Sequence, residues 1–330
     1  MSERLRFIQV KGEGEHQSFC AAVDEGLSST PKSLPTRFFY DEHGSELFEH
    51  ITELPEYYLT RCETEIFTRH ASDLAATVPK VSSLVEFGSG SSKKTRLLIE
   101  ALIERQGSLR YAPIDISTEF LRSTALTLLS EYPTLTIEAV GGEYFDVAAN
   151  LPSTGTPRLV LFLGSNIGNL ERNDASKFLC ILRSQLEGDD RLLMGIDLVK
   201  DPAILHAAYN DLQNVTADFN KNLLRRINKE LDANFDLASF DHDAPYLEAD
   251  CRVEMRLVSK RNQSVWIEAI GKSLEFKSGE FIHTEWSHKY TMESFARLCR
   301  QCGFKVENAW FDCREWFASV LLSPLEDGKA

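Results

Sequence analysis

The residues best suited to chemistry in this 330-residue chain stand where short apolar runs end in small or acidic residues. Ser83-Leu-Val-Glu-Phe87 runs into Gly88-Ser-Gly90, and small residues at a strand-to-helix turn let backbone N–H groups come close to a ligand. The dinucleotide fingerprint G-x-G-x-x-G is incomplete, because position 93 is Lys where the third glycine belongs. Asp115 ends the next apolar run, 25 residues after Gly90, where a carboxylate can accept both hydroxyls of a ribose. Glu143-Tyr144 follows the third run and offers a polar group for the edge of adenine and an aromatic ring for its face. Lys94 can face a carboxylate, and Gly164-Ser-Asn-Ile-Gly-Asn169 closes the fourth run over the crevice where such sheets bind ligands. Each position also has a plainer reading: a tight turn, a helix-capping acid, a solvated lysine. Taken together they describe the holding of a nucleoside.

Those positions need a scaffold, and the pattern around them supplies one. Short β-rich runs alternate with helical periodicity, as in a parallel sheet wrapped by helices. The spacing predicts strands at Ser83–Phe87, Arg110–Ile114, Leu135–Val140, Arg158–Leu163 and Arg191–Ile196. Helices are expected over Lys93–Glu104, Thr118–Tyr132 (with Ser117 as its cap) and Asp174–Glu187. After Lys200 the pattern changes to one long helix over Pro202–Leu231, then β-like stretches Cys251–Ser259, Ser264–Ile270 and Ser273–Phe276. A helix over Met292–Gln301 and an antiparallel hairpin, Lys305–Phe311 with Trp316–Leu322, return to the sheet. The expected organisation is an α/β core over residues 61–200 and 289–330, with residues 201–288 and 1–60 forming an α+β lobe. The length, beyond the roughly 250–300 residues at which one core stops growing, agrees with two lobes.

Composition narrows the partners. Hydrophobic residues make up 43% and charged residues 26%, so the chain can bury a core. A formal net charge of −14, with no dense basic patch, excludes nucleic acid and an anionic membrane as first choices. The longest apolar run, Leu159–Leu163, is far short of the ~18 residues of a spanning helix. The start MSERLRFIQVKGEGEH has no apolar signal core, so a cytoplasmic protein is expected. Seven scattered Cys fit that compartment. Cys299 and Cys302 form a single C-x-x-C without a second pair, which reads as helix-face packing before redox or metal chemistry, and no metal is assigned.

The E-x-G-x-G at Glu86–Gly90 resembles motif I of S-adenosylmethionine (SAM)-dependent methyltransferases, whose cofactor has no pyrophosphate to seat. Further segments sharpen the resemblance. They are Phe39-Tyr40-Asp41-Glu42-His43-Gly44-Ser45-Glu46-Leu47-Phe48, Leu54-Pro55-Glu56-Tyr57-Tyr58-Leu59-Thr60-Arg61, Phe162–Leu170, Asp197-Leu198-Val199-Lys200-Asp201 and Thr284-Glu285-Trp286-Ser287. In this order, from about Leu34 to Ser323, the chain closely resembles the histidine-specific Nα-methyltransferases of ergothioneine biosynthesis. The combination YDxxGSxLF, LPEYYxTRxExxI, GSxIGNL and DLVKD is specific to that family. The resemblance implies a seven-stranded Rossmann-like SAM methyltransferase core with an inserted substrate-binding domain; a monomer is expected. The implied reaction transfers three methyl groups from SAM to the α-amine of L-histidine, giving hercynine.

Carried over by position, the resemblance assigns the substrate carboxylate to Asn169 and Tyr209, and the neighbourhood of the α-amine to Tyr57. It assigns the imidazole to Tyr40, Glu285 and Ser287, and the pocket lining to Phe48, Gly164 and Met255. Gly88, Lys94 and Asp115 match cofactor contacts, while Glu143-Tyr144 stands where an Asp-Phe pair is expected beside adenine. Physics agrees on Glu285-x-Ser287: on an extended strand both side chains share a face, and together they can satisfy both nitrogens of an imidazole. The bland alternative pairs Glu285 with Lys289 or Arg297 at the surface. Competing functions are an N-methyltransferase acting on a tryptophan derivative, which Glu285 and Ser287 disfavour, a nicotinamide-dependent dehydrogenase, which Lys93 disfavours, and a non-catalytic SAM-binding scaffold.

Overall fold

The computed structural model describes residues 4–10, 19–152 and 154–325; residues 1–3, 11–18, 153 and 326–330, which fall within the domain spans expected from the sequence, lie outside the described residues. The chain forms two compact units, one of Met1–Glu13, Leu59–Val199 and Lys289–Ala330, the other of Gly14–Tyr58 and Lys200–His288.

In the first unit eight strands form one sheet in the order Leu5–Gln9, Leu135–Gly141, Leu109–Asp115, Ser83–Phe87, Arg158–Phe162, Arg191–Asp197, Phe317–Pro324, Phe304–Phe311. The first six are parallel, and the last two form the expected antiparallel hairpin. The middle strands are buried along nearly their whole length, which is why they read as continuous apolar runs rather than alternating ones. Helices Thr95–Gln106, Thr118–Glu131, Arg172–Gln185 and Met292–Gln301 cover the sheet, and Phe87, Phe162, Phe178, Phe295 and Phe304 are buried in one core cluster. Strand order reverses between Ser83–Phe87 and Arg158–Phe162, so the connections after these neighbours leave in opposite directions and open a crevice at their carboxyl ends.

The structure departs from the sequence reading in four places. The sheet has eight strands rather than seven, because Leu5–Gln9 pairs in parallel with Leu135–Gly141, from Leu5↔Ile137 to Gln9↔Gly141. Residues 1–60 therefore do not all belong to the second lobe. Arg4 ties this edge strand down by donating to the carbonyls of Leu129, Tyr132, Pro133 and Leu135. Ser117 makes no side-chain cap; its backbone N–H instead donates to Asp115 Oδ1 at 3.0 Å. The long helix is two, Pro202–Tyr209 and Val215–Leu231. The break comes where Asn214 takes a left-handed φ of 61° and Asp211 accepts the N–H groups of Val215 and Thr216 at 2.9 and 2.8 Å.

The second unit holds a five-stranded sheet with Lys32–Ser33, Phe281–His288, Arg252–Ser259 and Phe240–Asp243 in order, Tyr246–Leu247 also pairing with Arg252–Ser259. Phe281–His288 is the fourth departure, a full strand of which only Glu285–Ser287 was expected to be extended. A bulge where the register shifts between Met255 and Arg256 leaves Thr284 and Glu285 both buried, which spoils the polar/apolar alternation that signals a strand. Among the described residues, no helix is long and apolar enough to cross a membrane.

One buried ion pair closes the first unit. Asp197 Oδ2 and Lys289 Nζ lie 2.7 Å apart with both side chains 0% exposed, and Tyr290 N–H donates to the Asp197 carbonyl at 2.9 Å. Lys289→Met leaves the Asp197 carboxylate buried without the cation facing it, and should cost about 3–5 kcal/mol in urea unfolding. Adding Asp197→Leu should recover most of that loss; a single variant as stable as the parent would contradict the pair's role.

Candidate active site

The crevice of the first unit is built from two glycine turns and the acids beneath them. Gly88, at φ +67°, sends its N–H to the Ile114 carbonyl at 2.8 Å; a Cβ there would meet the Tyr144 hydroxyl at 2.5 Å and the Asn166 amide at 2.9 Å. Asp115 is held rigidly, Oδ2 accepting from Gly90 N–H and Oδ1 from Ser117 N–H, each at 3.0 Å. Burial raises its pKa above the ordinary carboxylate value, and the backbone N–H bonds oppose that rise. A carboxylate fixed in this way, at the end of a strand beside a glycine turn, suits a pair of ribose hydroxyls. Below it, Glu86 is buried and accepts hydrogen bonds from Thr95 Oγ1 at 2.6 Å and from the Tyr111 hydroxyl. Burial pushes the Glu86 carboxyl up to about 7.

Lys94 is not a solvated helix lysine. Its side chain is 20% exposed and its ammonium is ion-paired with Glu63, whose own side chain is 0% exposed. Tyr144 packs edge-on against Phe162, ring centroids 5.3 Å apart, so it forms the wall behind Gly88. Glu143 is half-buried and precedes the short helix Tyr144–Ala149 as its cap residue. Gly164 takes φ +70°, and half-buried Asn169 ends the 3-10 turn Asn166–Asn169 that follows. Ser165, itself left-handed at φ 61°, anchors that turn by accepting the Asp197 N–H at 3.0 Å.

In the second unit, seven of the residues singled out by the sequence form one continuous run. Tyr40 and Phe48 pack edge to face at 5.7 Å, Phe48 meets Tyr57 at 6.4 Å, and Tyr57 meets Tyr209 at 6.4 Å. The Tyr209 hydroxyl then shares a 2.6 Å hydrogen bond with Ser287 Oγ. Ser287 and Glu285 are two apart on Phe281–His288, and Met255 stands directly across from Glu285 in the sheet register. The three side chains therefore share one sheet face. Glu285 is 7% exposed, and the surface partners considered for it are engaged elsewhere: Lys289 with Asp197, Arg297 with Glu293 at 2.9 Å. A buried carboxylate and hydroxyl at the end of an aromatic wall can bind a planar ring that has N–H groups to give.

Two residues of these clusters escaped the sequence. Phe219, on the helix Val215–Leu231, stacks on Phe39 at 4.4 Å and touches Tyr40 and Phe48 at 5.8 and 6.0 Å. One apolar residue among many on an amphipathic helix carries no mark of that duty. Glu63 did have a signal, being the acid of the T-R-x-E segment beside Tyr57. Other motif residues turn out to be scaffolding: Asp41 and Asp201 cap helices, accepting from Gly44 and Ala203 N–H at 2.8 Å, and Lys200 donates to the Tyr58 hydroxyl at 2.9 Å. Cys299 and Cys302 are buried in the core cluster of the first unit, as packing residues are.

Comparison with known proteins finds a match, over residues 19–324, to a family described as histidine-specific methyltransferases, SAM-dependent. A histidine N-alpha-methyltransferase of Mycolicibacterium smegmatis is 40% identical over 88% of this chain and 90% of its own length. One from Mycobacterium tuberculosis is 41% identical over 90% of this chain and 92% of its own. An ergothioneine biosynthesis protein 1 of Neurospora crassa is 33% identical over 85% of this chain, which spans 32% of that longer protein.

The raised Glu86 carboxyl makes a prediction about stability. Its folded value of about 7 lies above the ordinary 4.5, so the folded state binds the extra proton; the contribution is fully present below pH 4.5 and lost as pH rises through about 7. Glu86→Gln, which stays neutral, should melt progressively higher relative to the parent between about pH 5 and about pH 7.5. A constant difference across that range would show that Glu86 titrates normally.

Proposed function

This chain belongs to the family of histidine-specific, SAM-dependent methyltransferases, and on that premise we propose that it methylates the α-amine of L-histidine three times. The product is hercynine, at the first step of ergothioneine biosynthesis. When bound, SAM supplies the methyl group on a sulfonium carbon. Gly88 and Gly90 give backbone close to the nucleoside, Asp115 takes its ribose hydroxyls, Lys94 faces its methionine carboxylate, and Glu143 with Tyr144 borders the base. The observation that carries the substrate reading is buried Glu285 beside Ser287, on one sheet face with Met255 and at the end of the Tyr40–Phe48–Tyr57–Tyr209 wall. The assignment of Gly164 and Asn169 to the substrate rests on the family resemblance.

Selection follows from desolvation. An apolar side chain in this pocket would offer no N–H to the buried Glu285 carboxylate, a mismatch worth about 1–3 kcal/mol. Imidazole instead donates an N–H to Glu285 and shares a hydrogen bond with Ser287. An indole has one N–H and no acceptor nitrogen for Ser287 to pair with, and is larger, which disfavours a tryptophan derivative.

The reaction asks little acid–base chemistry of the protein. The attacking amine must be neutral, and an α-amine with a pKa of roughly 8 is mostly protonated at neutral pH. The site binds the neutral minority and points its lone pair, since positioning supplies roughly 7–11 kcal/mol of a barrier of this kind. Tyr57 is the residue that orients the amine. Its ring is 8% exposed and fixed between Phe48 and Tyr209, so its hydroxyl has a defined place. A hydroxyl, unlike a carboxylate cage, also leaves room for the bulkier mono- and dimethylated amines.

Incubation with SAM and each proteinogenic amino acid in turn, followed by mass spectrometry, tests the assignment. Histidine alone should gain methyl groups, up to three; methylation of another amino acid in its place would overturn it. Tyr57→Phe should lower turnover by roughly tenfold to a hundredfold, the worth of one strong hydrogen bond, while SAM affinity stays as in the parent. Unchanged rates for all three methylations would remove Tyr57 from the mechanism.

A further inference from the structure

Glu63 is a fully buried acid at the crevice of the first unit, and neither the nucleoside-binding residues nor the aromatic wall explains it. It lies on the helix Tyr58–Ala76 with a side chain 0% exposed. Its carboxylate takes up two groups at once. Both oxygens accept the N–H of Gly164, at 3.1 and 3.0 Å, and Oε2 accepts the Lys94 ammonium. The strand next door leaves space for it: a Cβ on Gly195 would come within 2.1 Å of Glu63 Oε1. A buried carboxylate that braces a loop needs a cation, and Lys94 is that cation. Yet Lys94 is not wholly enclosed: its side chain is 20% exposed and its Nζ lies 3.8 Å from where a Gly164 Cβ would stand.

We propose that Glu63 is a positioning residue for the amino-acid end of SAM: it keeps Lys94 aimed across Gly164, so that a carboxylate arriving in the crevice meets a preset cation. The assignment rests on the SAM reading given above. The other charged group recorded close to Lys94 is Glu86, on the strand Ser83–Phe87, which both Lys94 and Glu63 influence in opposite senses. The physical reason is that a lysine head on a flexible four-carbon stem is held in one direction when a fixed anion faces it. Glu63 supplies that anion without competing for the ligand, because it is fully enclosed. The remaining N–H donors of Lys94 stay available to the incoming carboxylate.

The test compares two ligands that share the nucleoside and differ at the amino-acid end, S-adenosylhomocysteine and methylthioadenosine, by calorimetry from about pH 7 to about pH 9.5. In the parent, S-adenosylhomocysteine should bind more tightly than methylthioadenosine across the range. In Glu63→Gln that preference should fall by roughly tenfold to a hundredfold throughout the range, the worth of one charge-assisted hydrogen bond, while methylthioadenosine affinity stays within about twofold. Lys94→Met should lose the preference at every pH, and adding Glu63→Gln to it should change nothing further. If Glu63→Gln does not fold, Gly195→Ala, which pushes the Glu63 carboxylate aside, should reproduce the same ligand-selective loss. A preference that survives unchanged in the folded variant, or an equal weakening of both ligands, overturns the assignment and leaves Glu63 a structural residue. A parent that binds neither ligand would instead sink the SAM reading itself, and this assignment with it.

Discussion

Two parallel neighbours whose following connections depart in opposite directions leave a crevice at their carboxyl ends, and the backbone N–H groups in the turns lining it need acceptors. That constraint governs the first unit. Ser83–Phe87 and Arg158–Phe162 are such neighbours, and the turns beyond them, at Gly88 and Gly164, both take positive φ. The N–H groups stranded there need acceptors, and buried or rigidly held acceptors are what the chain provides: the Ile114 carbonyl for Gly88, Asp115 for Gly90, Glu63 for Gly164. Each acid brought in for a backbone reason then needs its own compensation, which is why Lys94 stands against Glu63. The same loops that cannot close on themselves are therefore the ones that present fixed charges and N–H groups to a ligand.

The second unit works under a different constraint. Its sheet buries Glu285 and Ser287 beside Met255, and burying such groups is unfavourable unless hydrogen bonds meet them. The Tyr209–Ser287 bond meets one of them at 2.6 Å, at the end of the aromatic run from Tyr40 to Tyr209. Low local dielectric strengthens any hydrogen bond formed there, and makes a mismatched ligand correspondingly costly.

The parallel core was readable because its signals are local. A buried parallel strand is an apolar run, and the positions at its end are small or acidic; Ser83–Phe87, Arg158–Phe162 and Asp115 announced themselves in that way. The edge strand Leu5–Gln9 did not, since its pairing partner lies more than a hundred residues away and nothing in five residues specifies it. The strand Phe281–His288 was hidden by its bulge, which buries Thr284 and Glu285 in succession. The break between Pro202–Tyr209 and Val215–Leu231 depends on Asp211 turning back to cap the second helix, a choice that periodicity does not register. In the candidate site, types and order identified Tyr57, Tyr209 and Glu285 through motif resemblance. Phe219 and the Glu63–Lys94 pair became evident only with the fold, since their significance lies in what stands opposite them.

The most direct test follows the methyl group itself. With SAM carrying an isotope-labelled methyl and unlabelled L-histidine, nuclear magnetic resonance of the product reports which nitrogen receives the label. A ring gripped by Glu285 and Ser287, with the amine left beside Tyr57, predicts label on the α-nitrogen through all three additions. Label on an imidazole nitrogen would mean that the ring, not the amine, is presented to the donor, and would contradict the account.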